Sequence, residues 1–340
     1  MNILGQYPQR RMRRNRDGAA IRQMLQETHL GAEHFIWPIF ICEGEGQKAP
    51  ILSMPGIFRH SLDGLPWLVE QAKAHGIQAM AIFPYIEEAY KSKDCRQAYN
   101  PDNLVCRAVR TLRKLAPNMM IMCDVALDPF NIDGHDGLYI EPQGSDKEGR
   151  ILNDETIELL LKQALVQAEA GADCLGPSDM MDGRIGKIRN ELDKQGFDRV
   201  RLISYAAKYA SKFYGPFREA VGSGGLLQGD KASYQMNPAN KDEALHEVAL
   251  DLQEGADIVM IKPGMPYLDI IYAVKQKFNV PVAAYQVSGE YSMQALAIQQ
   301  NILDEAVILE SLLCFRRAGA NAILTYFAPK AAELLNRVKG

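Results

Sequence analysis

The sequence lacks the features that would place it in a membrane, outside the cell or in a disulfide framework. No run approaches the roughly 18 uninterrupted apolar residues of a membrane span, and residues 1–16 lack the apolar core of a signal peptide. The six cysteines are scattered, form no C-x-x-C pair and mostly lie in apolar runs, which is typical of small core residues. We therefore expect a soluble, cytoplasmic protein without a membrane partner.

The chain also lacks an interdomain linker and a strong excess of charge. Its net charge of −4 argues against a general nucleic-acid binder. Five arginines nevertheless crowd into residues 10–16, and on the residues alone this cluster could bind RNA or phosphate. With 340 residues, of which 47% are hydrophobic, the chain can form two domains or one large barrel.

Short apolar runs alternate with longer segments of helical periodicity from residue 34 onward. This alternation is typical of β/α units around a parallel sheet, and eight such units close a barrel. The sequence therefore predicts an α/β fold, a (β/α)8 TIM barrel over residues 34–340, preceded by an extended N-terminal arm, residues 1–33. The eight runs are residues 34–41, 76–85, 119–127, 172–179, 200–208, 256–264, 280–289 and 320–329.

Glycines mark the ends of three predicted helices and are frequent in one long predicted loop. Gly171, Gly255 and Gly319 each follow an amphipathic segment and precede a strand, so we expect them to end helices in the left-handed conformation. The Gly- and Ser-rich stretch between the fifth and sixth runs is too long for a simple turn. We interpret residues 222–236 as a lid over an active site.

Polar residues lie at the ends of the predicted strands, where the active site of a barrel enzyme forms. Lys208 and Lys262 end the adjacent fifth and sixth runs. Neighbouring strands lie about 4.8 Å apart, so mutual repulsion and burial should lower the pKa of these amines. A neutral lysine can attack a ketone or aldehyde and form a Schiff base, although one lysine could instead pair with Asp124 while the other lies at the rim.

Several segments resemble the porphobilinogen synthase family, also called 5-aminolevulinate dehydratases. They are ISYAAKYASKFYGPFREA at 203–220, VMIKPGMPYLDI at 259–270, SYQMNPAN at 233–240, GPSDMMDGR at 176–184 and YQVSGEY at 285–291. The resemblance runs from about Arg10 to the C terminus. It implies a lyase of early tetrapyrrole (haem or chlorophyll) biosynthesis that condenses two molecules of 5-aminolevulinate to porphobilinogen, with loss of two waters.

The resemblance assigns different roles to the two lysines. Lys262 matches the lysine that forms the Schiff base with the substrate of the P side, and Lys208 matches the lysine that binds the substrate of the A side. Other residues of the strand ends and of the matched motifs are expected to support the site: Asp124, Asp128, Asp136, Ser178, Tyr205 and Tyr285.

Each substrate also carries a carboxylate, and the resemblance provides residues for both. Arg218 and Lys231 would bind one carboxylate, and Ser288 and Tyr326 the other. These residue types suit the role, because guanidinium and ammonium groups pair with carboxylates. Hydroxyl donors can hold the second carboxylate without adding another cation.

The chain departs from the family where many members carry three zinc-binding cysteines. Ala126, Asp128 and Asp136 stand at those positions, so the chain resembles the aspartate-rich, zinc-independent branch and no zinc is expected. The two carboxylates suit Mg²⁺ or a monovalent cation. His135 could instead contribute to a mixed site, but a histidine in a turn is more often solvated.

A second candidate metal site lies on a predicted helix. Glu243, Glu247 and Asp251 recur four residues apart and should form one acidic stripe. By resemblance, Glu247 belongs to an allosteric Mg²⁺ site, to which Asp182 contributes through water.

The arm resembles the family's N-terminal arm, which implies a homo-octamer built from dimers. Two other functions stay open at this point. A class I aldolase or transaldolase also uses a Schiff-base lysine, but one lysine suffices there. A catalytically inactive barrel could bind nucleic acid through the arginines of the arm.

Overall fold

Eight parallel strands form a closed barrel in the computed structural model, which describes residues 5–142, 149–222 and 230–339. Around the barrel the eight strands follow one another in chain order, and the last, Ala322–Thr325, pairs with the first, Phe35–Ile41, to close it. Each of the eight predicted runs contains one of these strands, so the predicted (β/α)8 barrel is confirmed. The strands in the described residues are β1 (Phe35–Ile41), β2 (Lys48–Pro50), β3 (Phe58–His60), β4 (Ala79–Pro84), β5 (Met120–Val125), β6 (Leu138–Ile140), β7 (Arg150–Leu152), β8 (Cys174–Pro177), β9 (Arg201–Lys208), β10 (Ile258–Lys262), β11 (Val282–Gln286) and β12 (Ala322–Thr325).

Helices follow the barrel strands along the chain and cover the barrel. They are α1 (Ala19–Met24), α2 (Leu65–Ala74), α3 (Leu104–Leu115), α4 (Asn153–Ala170), α5 (Arg184–Lys194), α6 (Gly215–Ala220), α7 (Asp242–Gln253), α8 (Leu268–Phe278), α9 (Ser288–Gln299), α10 (Val307–Ala318) and α11 (Ala328–Lys339). None of these described helices is both long enough and apolar enough to cross a membrane.

The three glycines predicted to end helices have positive φ. Gly171 and Gly255 have φ of 106°, and Gly319 has φ of 117°. At Gly319 a β-carbon would also lie 2.7 Å from Cγ of Lys275, so a larger residue would have both a strained backbone and a steric conflict. These turns bring the chain directly from a helix into the next barrel strand.

The barrel strands are buried because helices cover the outside and side chains fill the inside. Strands β1, β4 and β11 are buried along their whole lengths, as expected for parallel strands covered on both faces. All six cysteines are free thiols, and all but Cys314 are buried. The prediction that most are core residues is therefore confirmed.

The arm is exposed where the structure describes it. Residues 5–20 are all exposed, and the Arg11 guanidinium lies 4.5 Å from the centre of the Tyr7 ring. Closer to the barrel, Leu30 and Ala32 pack against the core. Of the predicted lid, residues 223–229 lie outside the described residues.

A buried arginine joins the end of one strand to two helices. Arg184, in the first turn of α5, forms ion pairs with Asp179 beyond β8 at 3.5 Å and with Asp251 of α7 at 3.3 Å. Asp251 of the predicted acidic stripe is thus buried against this guanidinium, while its charge still acts on Glu247. Helical spacing alone does not reveal such a partner on another element.

We expect the substitution Arg184→Ala to lower the free energy of unfolding by about 3–5 kcal/mol, because it leaves two buried carboxylates without a counter-charge. Urea denaturation at one fixed protein concentration measures the change. Lys187→Ala is the control on the same helix, since the ion pair of Lys187 with Glu158 is exposed and should contribute less than about 1 kcal/mol. Equal losses in the two variants would contradict the prediction.

Candidate active site

Two lysines lie side by side at the mouth of the barrel. Lys208 and Lys262 are the last residues of β9 and β10, and their Cα atoms are register partners in the parallel pairing. Both side chains are buried. The structure thus brings together the two amines at adjacent strand ends, as the sequence predicted.

Aromatic rings surround the Lys262 ammonium. Its Nζ lies 4.7 Å from the centre of the Tyr285 ring, 5.1 Å from Tyr205 and Phe217, and 5.2 Å from Tyr214. Burial lowers the pKa of Lys262 to about 7, and the positive charge of Lys208 adds to the effect. A substantial fraction of this amine is therefore neutral, and nucleophilic, near neutral pH.

Lys208 has a more polar environment than Lys262. Its Nζ lies 3.2 Å from Oδ1 of Asp136 and donates a hydrogen bond to the carbonyl of Ser178. A carboxylate beside an ammonium favours the charged form. The two neighbouring lysines therefore differ in their partners, with a carboxylate beside Lys208 and rings around Lys262.

A third lysine joins this charge cluster from the segment between β9 and β10 that the sequence predicted as a lid. Nζ of Lys231 lies 2.8 Å from Oδ2 of Asp136 and 3.4 Å from Oδ2 of Asp128. Burial alone would raise the pKa of Asp136, but Lys208 and Lys231 hold it well below its ordinary value. Asp136 is therefore a stable anion that neutralises two lysines.

Asp124 is a candidate for proton transfer. It lies near the end of β5, and its Oδ1 is buried without a hydrogen-bond partner among the described residues. Burial raises the pKa of Asp124 to about 7, against the opposing effects of Lys262 and Lys208. A carboxyl group with this pKa can both donate and accept a proton near neutral pH.

The predicted carboxylate-binding residues lie in two places. Arg218 and Lys231 line one cavity of about 610 Å³. Tyr326 donates to or accepts from the hydroxyl of Tyr285 at 2.7 Å, so it lies on the Lys262 side of the mouth. The Ser288 hydroxyl accepts from the Phe217 amide at 2.9 Å and donates to the Phe213 carbonyl at 3.4 Å.

Comparison with known proteins agrees with this geometry. The family model for delta-aminolevulinic acid dehydratase matches residues 9–334. The chain belongs to this family. A delta-aminolevulinic acid dehydratase of Bradyrhizobium diazoefficiens is 52% identical over 96% of this chain and 90% of the relative. A chloroplastic one of Arabidopsis thaliana is 51% identical over 96% of this chain and 74% of that relative.

A solved structure of the family has the same fold. The delta-aminolevulinic acid dehydratase (porphobilinogen synthase) of Toxoplasma gondii ME49, in complex with the reaction product porphobilinogen, superposes with a TM-score of 0.93. It is 43% identical, and the match covers 97% of this chain and 93% of that chain. The family is one of lyases, and this membership decides against the aldolase and the inactive barrel.

The three positions where many dehydratases carry cysteine have no thiol here. Ala126 is buried, and its carbonyl accepts a hydrogen bond from Gln163. Asp128 and Asp136 contact lysines of the chain itself. His135 is not solvated as a turn histidine would be, because it is buried and stacked on Tyr139 at 4.8 Å.

The predicted allosteric residues line a second cavity of about 530 Å³. Asp182, Glu243 and Glu247 all contribute to it, and burial and then the charge of Asp251 raise the pKa of Glu247. Within the described ranges, no three acidic, histidine or cysteine side chains converge closely enough to hold a metal by themselves. The cavity shares Ala232, Gln235 and Asn237 with the cavity of Lys231, so one segment separates the two.

Sequence reasoning missed some of the residues at this dehydratase site. Tyr214 and Phe217 complete the aromatic wall of Lys262, and in the sequence only the YGPFR motif contains them. Lys91 is buried, and its Nζ donates to the carbonyl of Gly222 at 2.7 Å. Lys91 follows no strand directly, so nothing in the local pattern marks it as part of the site.

We expect Lys262 to react as a neutral amine at a much lower pH than other lysines. In reductive methylation with formaldehyde and cyanoborohydride, its labelling should be half-maximal near pH 7, because only the neutral amine forms the imine. The exposed Lys73 and Lys187 serve as internal controls for the labelling of a solvated lysine. Peptide mass spectrometry at each pH measures the labelling, and a Lys262 profile that follows the controls would contradict the prediction.

Proposed function

We propose that this protein is a porphobilinogen synthase that condenses two molecules of 5-aminolevulinate into one porphobilinogen and two waters. The observation that carries the proposal is the pair of buried lysines, Lys208 and Lys262, in register on β9 and β10. Membership of the family and the product bound in the Toxoplasma gondii relative support it. An aldolase would need only one of these lysines.

Lys262 is the nucleophile toward the first substrate. Its neutral amine attacks the ketone carbon, the ketone oxygen leaves as water, and a Schiff base remains. The aromatic wall excludes water and so limits premature hydrolysis. Asp124 is placed in the same mouth and can donate the proton that the leaving oxygen needs, since its pKa of about 7 matches this task.

Lys208 binds the second substrate. Its contact with Asp136 keeps its amino group at a defined place beside Lys262. The supporting residues Ser178, Tyr205 and Tyr285 fix the positions of the two lysines through the carbonyl and ring contacts described above. Both lysines are released unchanged when the pyrrole forms.

The two substrate carboxylates bind at opposite sides of the mouth. Ser288 and Tyr326 serve the substrate on Lys262, because the Tyr326 hydroxyl contacts Tyr285, which packs against that amine. Arg218 and Lys231 serve the substrate on Lys208, because Lys231 already shares Asp136 with Lys208. The substrate carboxylate then replaces an aspartate as the partner of Lys231.

The proposal includes regulation by Mg²⁺ and no zinc. Glu247 would bind the ion directly and Asp182 through water, with the remaining positions filled by water, as Mg²⁺ prefers. The carboxylates of Asp128 and Asp136 suit a monovalent cation better than zinc, which prefers thiolate and imidazole ligands. Three further features stay predictions. They are a homo-octamer that assembles through the arm at residues 1–33, a lid at residues 222–236, and a cytoplasmic location.

We expect Lys262→Ala to abolish porphobilinogen formation while the fold stays intact, because no other amine can activate the first ketone. Lys208→Ala should lose most activity but still form an imine at Lys262 that borohydride traps. Product assays, circular dichroism and peptide mapping after trapping with 5-aminolevulinate measure these outcomes. Lys187→Ala, on the exposed face of α5, is the control that should keep full activity.

Two results would contradict these roles. Substantial turnover by folded Lys262→Ala would exclude it as the essential nucleophile. Loss of the trapped imine in folded Lys208→Ala would reverse the division of labour between the lysines.

We expect Glu247→Gln to remove stimulation by Mg²⁺ and to spare basal activity. A cation at Glu247 lies in a separate cavity from the lysines, so it can act only by favouring one conformation or assembly. The segment shared by the two cavities follows Lys231, which connects the ion to the substrate site. Turnover and sedimentation with and without Mg²⁺ measure the effect, and Asp242→Asn on the same helix is the control.

Loss of basal turnover in folded Glu247→Gln would place the metal in the chemistry instead. Stimulation that survives in this variant would place the ion elsewhere.

A further inference from the structure

A buried carboxylate joins the loop after Lys262 to the loop before Ser288. Glu290, in the first turn of α9, is 2% exposed. Its Oε1 accepts from the Met265 amide at 2.6 Å, and its Oε2 accepts from the amides of Gly264 at 3.2 Å and Val287 at 2.8 Å. Among the described residues, Glu290 forms no ion pair.

Burial of a charged carboxylate in this environment costs folding free energy. Burial raises the pKa of Glu290 to about 7, and its three amide donors oppose the shift. In a capping box the side chain of the third helical residue accepts from the amide of the N-cap residue, and the Val287 amide is that donor here. The other two donors belong to a different strand end, so the carboxylate is used as a bridge between two loops.

The bridged loops carry the two groups that would hold one substrate. Gly264 and Met265 follow Lys262 by two and three residues, and Val287 directly precedes Ser288. The Lys262 carbonyl is fixed as well, because the Tyr214 hydroxyl donates to it at 3.1 Å and the Tyr209 amide at 2.9 Å. The hydrogen bonds of Glu290 tie the turn after Lys262 to the loop before Ser288, and so they limit movement of the Lys262 amine relative to the Ser288 hydroxyl.

Close packing leaves these loops little freedom to move independently. A β-carbon on Gly289 would lie 2.5 Å from the Phe213 carbonyl oxygen, and one on Gly264 would lie 2.4 Å from the Phe315 ring. The Phe213 carbonyl also accepts from Ser288. A shift of either loop would therefore be passed on to the substrate contacts rather than absorbed.

We infer that Glu290 is a positioning residue, which sets the distance between the Lys262 amine and the Ser288 hydroxyl so that one keto acid can engage both. The inference rests on the proposed function, in which the ketone of the substrate reacts with Lys262 and its carboxylate binds at Ser288. Glu290 itself touches neither group. Its effect should appear only with ligands that need both contacts at once.

A pair of probes separates positioning from a general effect on stability. 4-Oxopentanoate carries a ketone and a carboxylate, whereas 2-pentanone carries the ketone alone. The preference of the full-length protein for the keto acid is the ratio of the two half-saturation concentrations for imine trapping at Lys262 by borohydride, quantified by peptide mass spectrometry. We expect a clear preference in the wild-type protein.

Glu290→Gln keeps the size of the side chain but places an amide nitrogen, a donor, against one of the backbone donors. We expect the preference for 4-oxopentanoate to fall by about tenfold or more, the scale of misplacement effects on bound substrates, while trapping of 2-pentanone is unchanged. Glu290→Asp keeps the charge, so it should fold even where Glu290→Gln does not. It is too short to reach both loops and should also lose the preference.

Glu310→Gln, an exposed position on α10, is the matched control and should keep the wild-type preference. An unchanged preference in a folded Glu290 variant would overturn the inference. Equally weakened imine trapping of 4-oxopentanoate and 2-pentanone would also overturn it, because that result indicates only a structural role. In both of these cases the wild-type protein still forms the imine. A wild-type protein that forms no imine at Lys262 with 4-oxopentanoate would refute the proposed function and the inference together.

Discussion

The site depends on the burial of lysines in one confined mouth, where Lys208 and Lys262 are buried and Lys231 lies largely buried beside them. Each ammonium group that leaves water loses solvation, so the mouth is stable only if carboxylates of the chain compensate for the charges. Asp124, Asp128 and Asp136 all come from the end of β5 and the loop after it. Two of them, Asp128 and Asp136, act as counter-ions for Lys208 and Lys231.

Unequal compensation gives the two strand-end lysines different chemistry. Asp136 contacts Lys208 directly, whereas four aromatic rings surround Lys262. Burial, and then the charge of Lys208, lowers the pKa of Lys262. The backbone register treats the two residues alike, so the proposed division of labour rests on these different surroundings.

The sequence predicted the barrel strands and their ends better than the contacts between residues that are distant along the chain. Apolar runs and strand-end polar residues revealed the eight strands and both lysines, because those signals are local along the chain. Glu290 and Lys91 were missed, since their partners are backbone groups of distant loops and leave no trace in residue spacing. The partner of Asp251 was missed for the same reason, because Arg184 comes from another helix.

The balance of charges in the mouth also links substrate binding to catalysis. A substrate carboxylate adds a negative charge to a cluster whose charges already compensate one another, and this addition raises the pKa of nearby groups. Attack on the ketone needs a neutral Lys262, but the resulting imine withdraws electrons well only when it is protonated. Asp124, whose pKa burial raises to about 7, is a candidate donor of that proton. The bound substrate therefore shifts the site from the state that forms the imine towards the state that uses it.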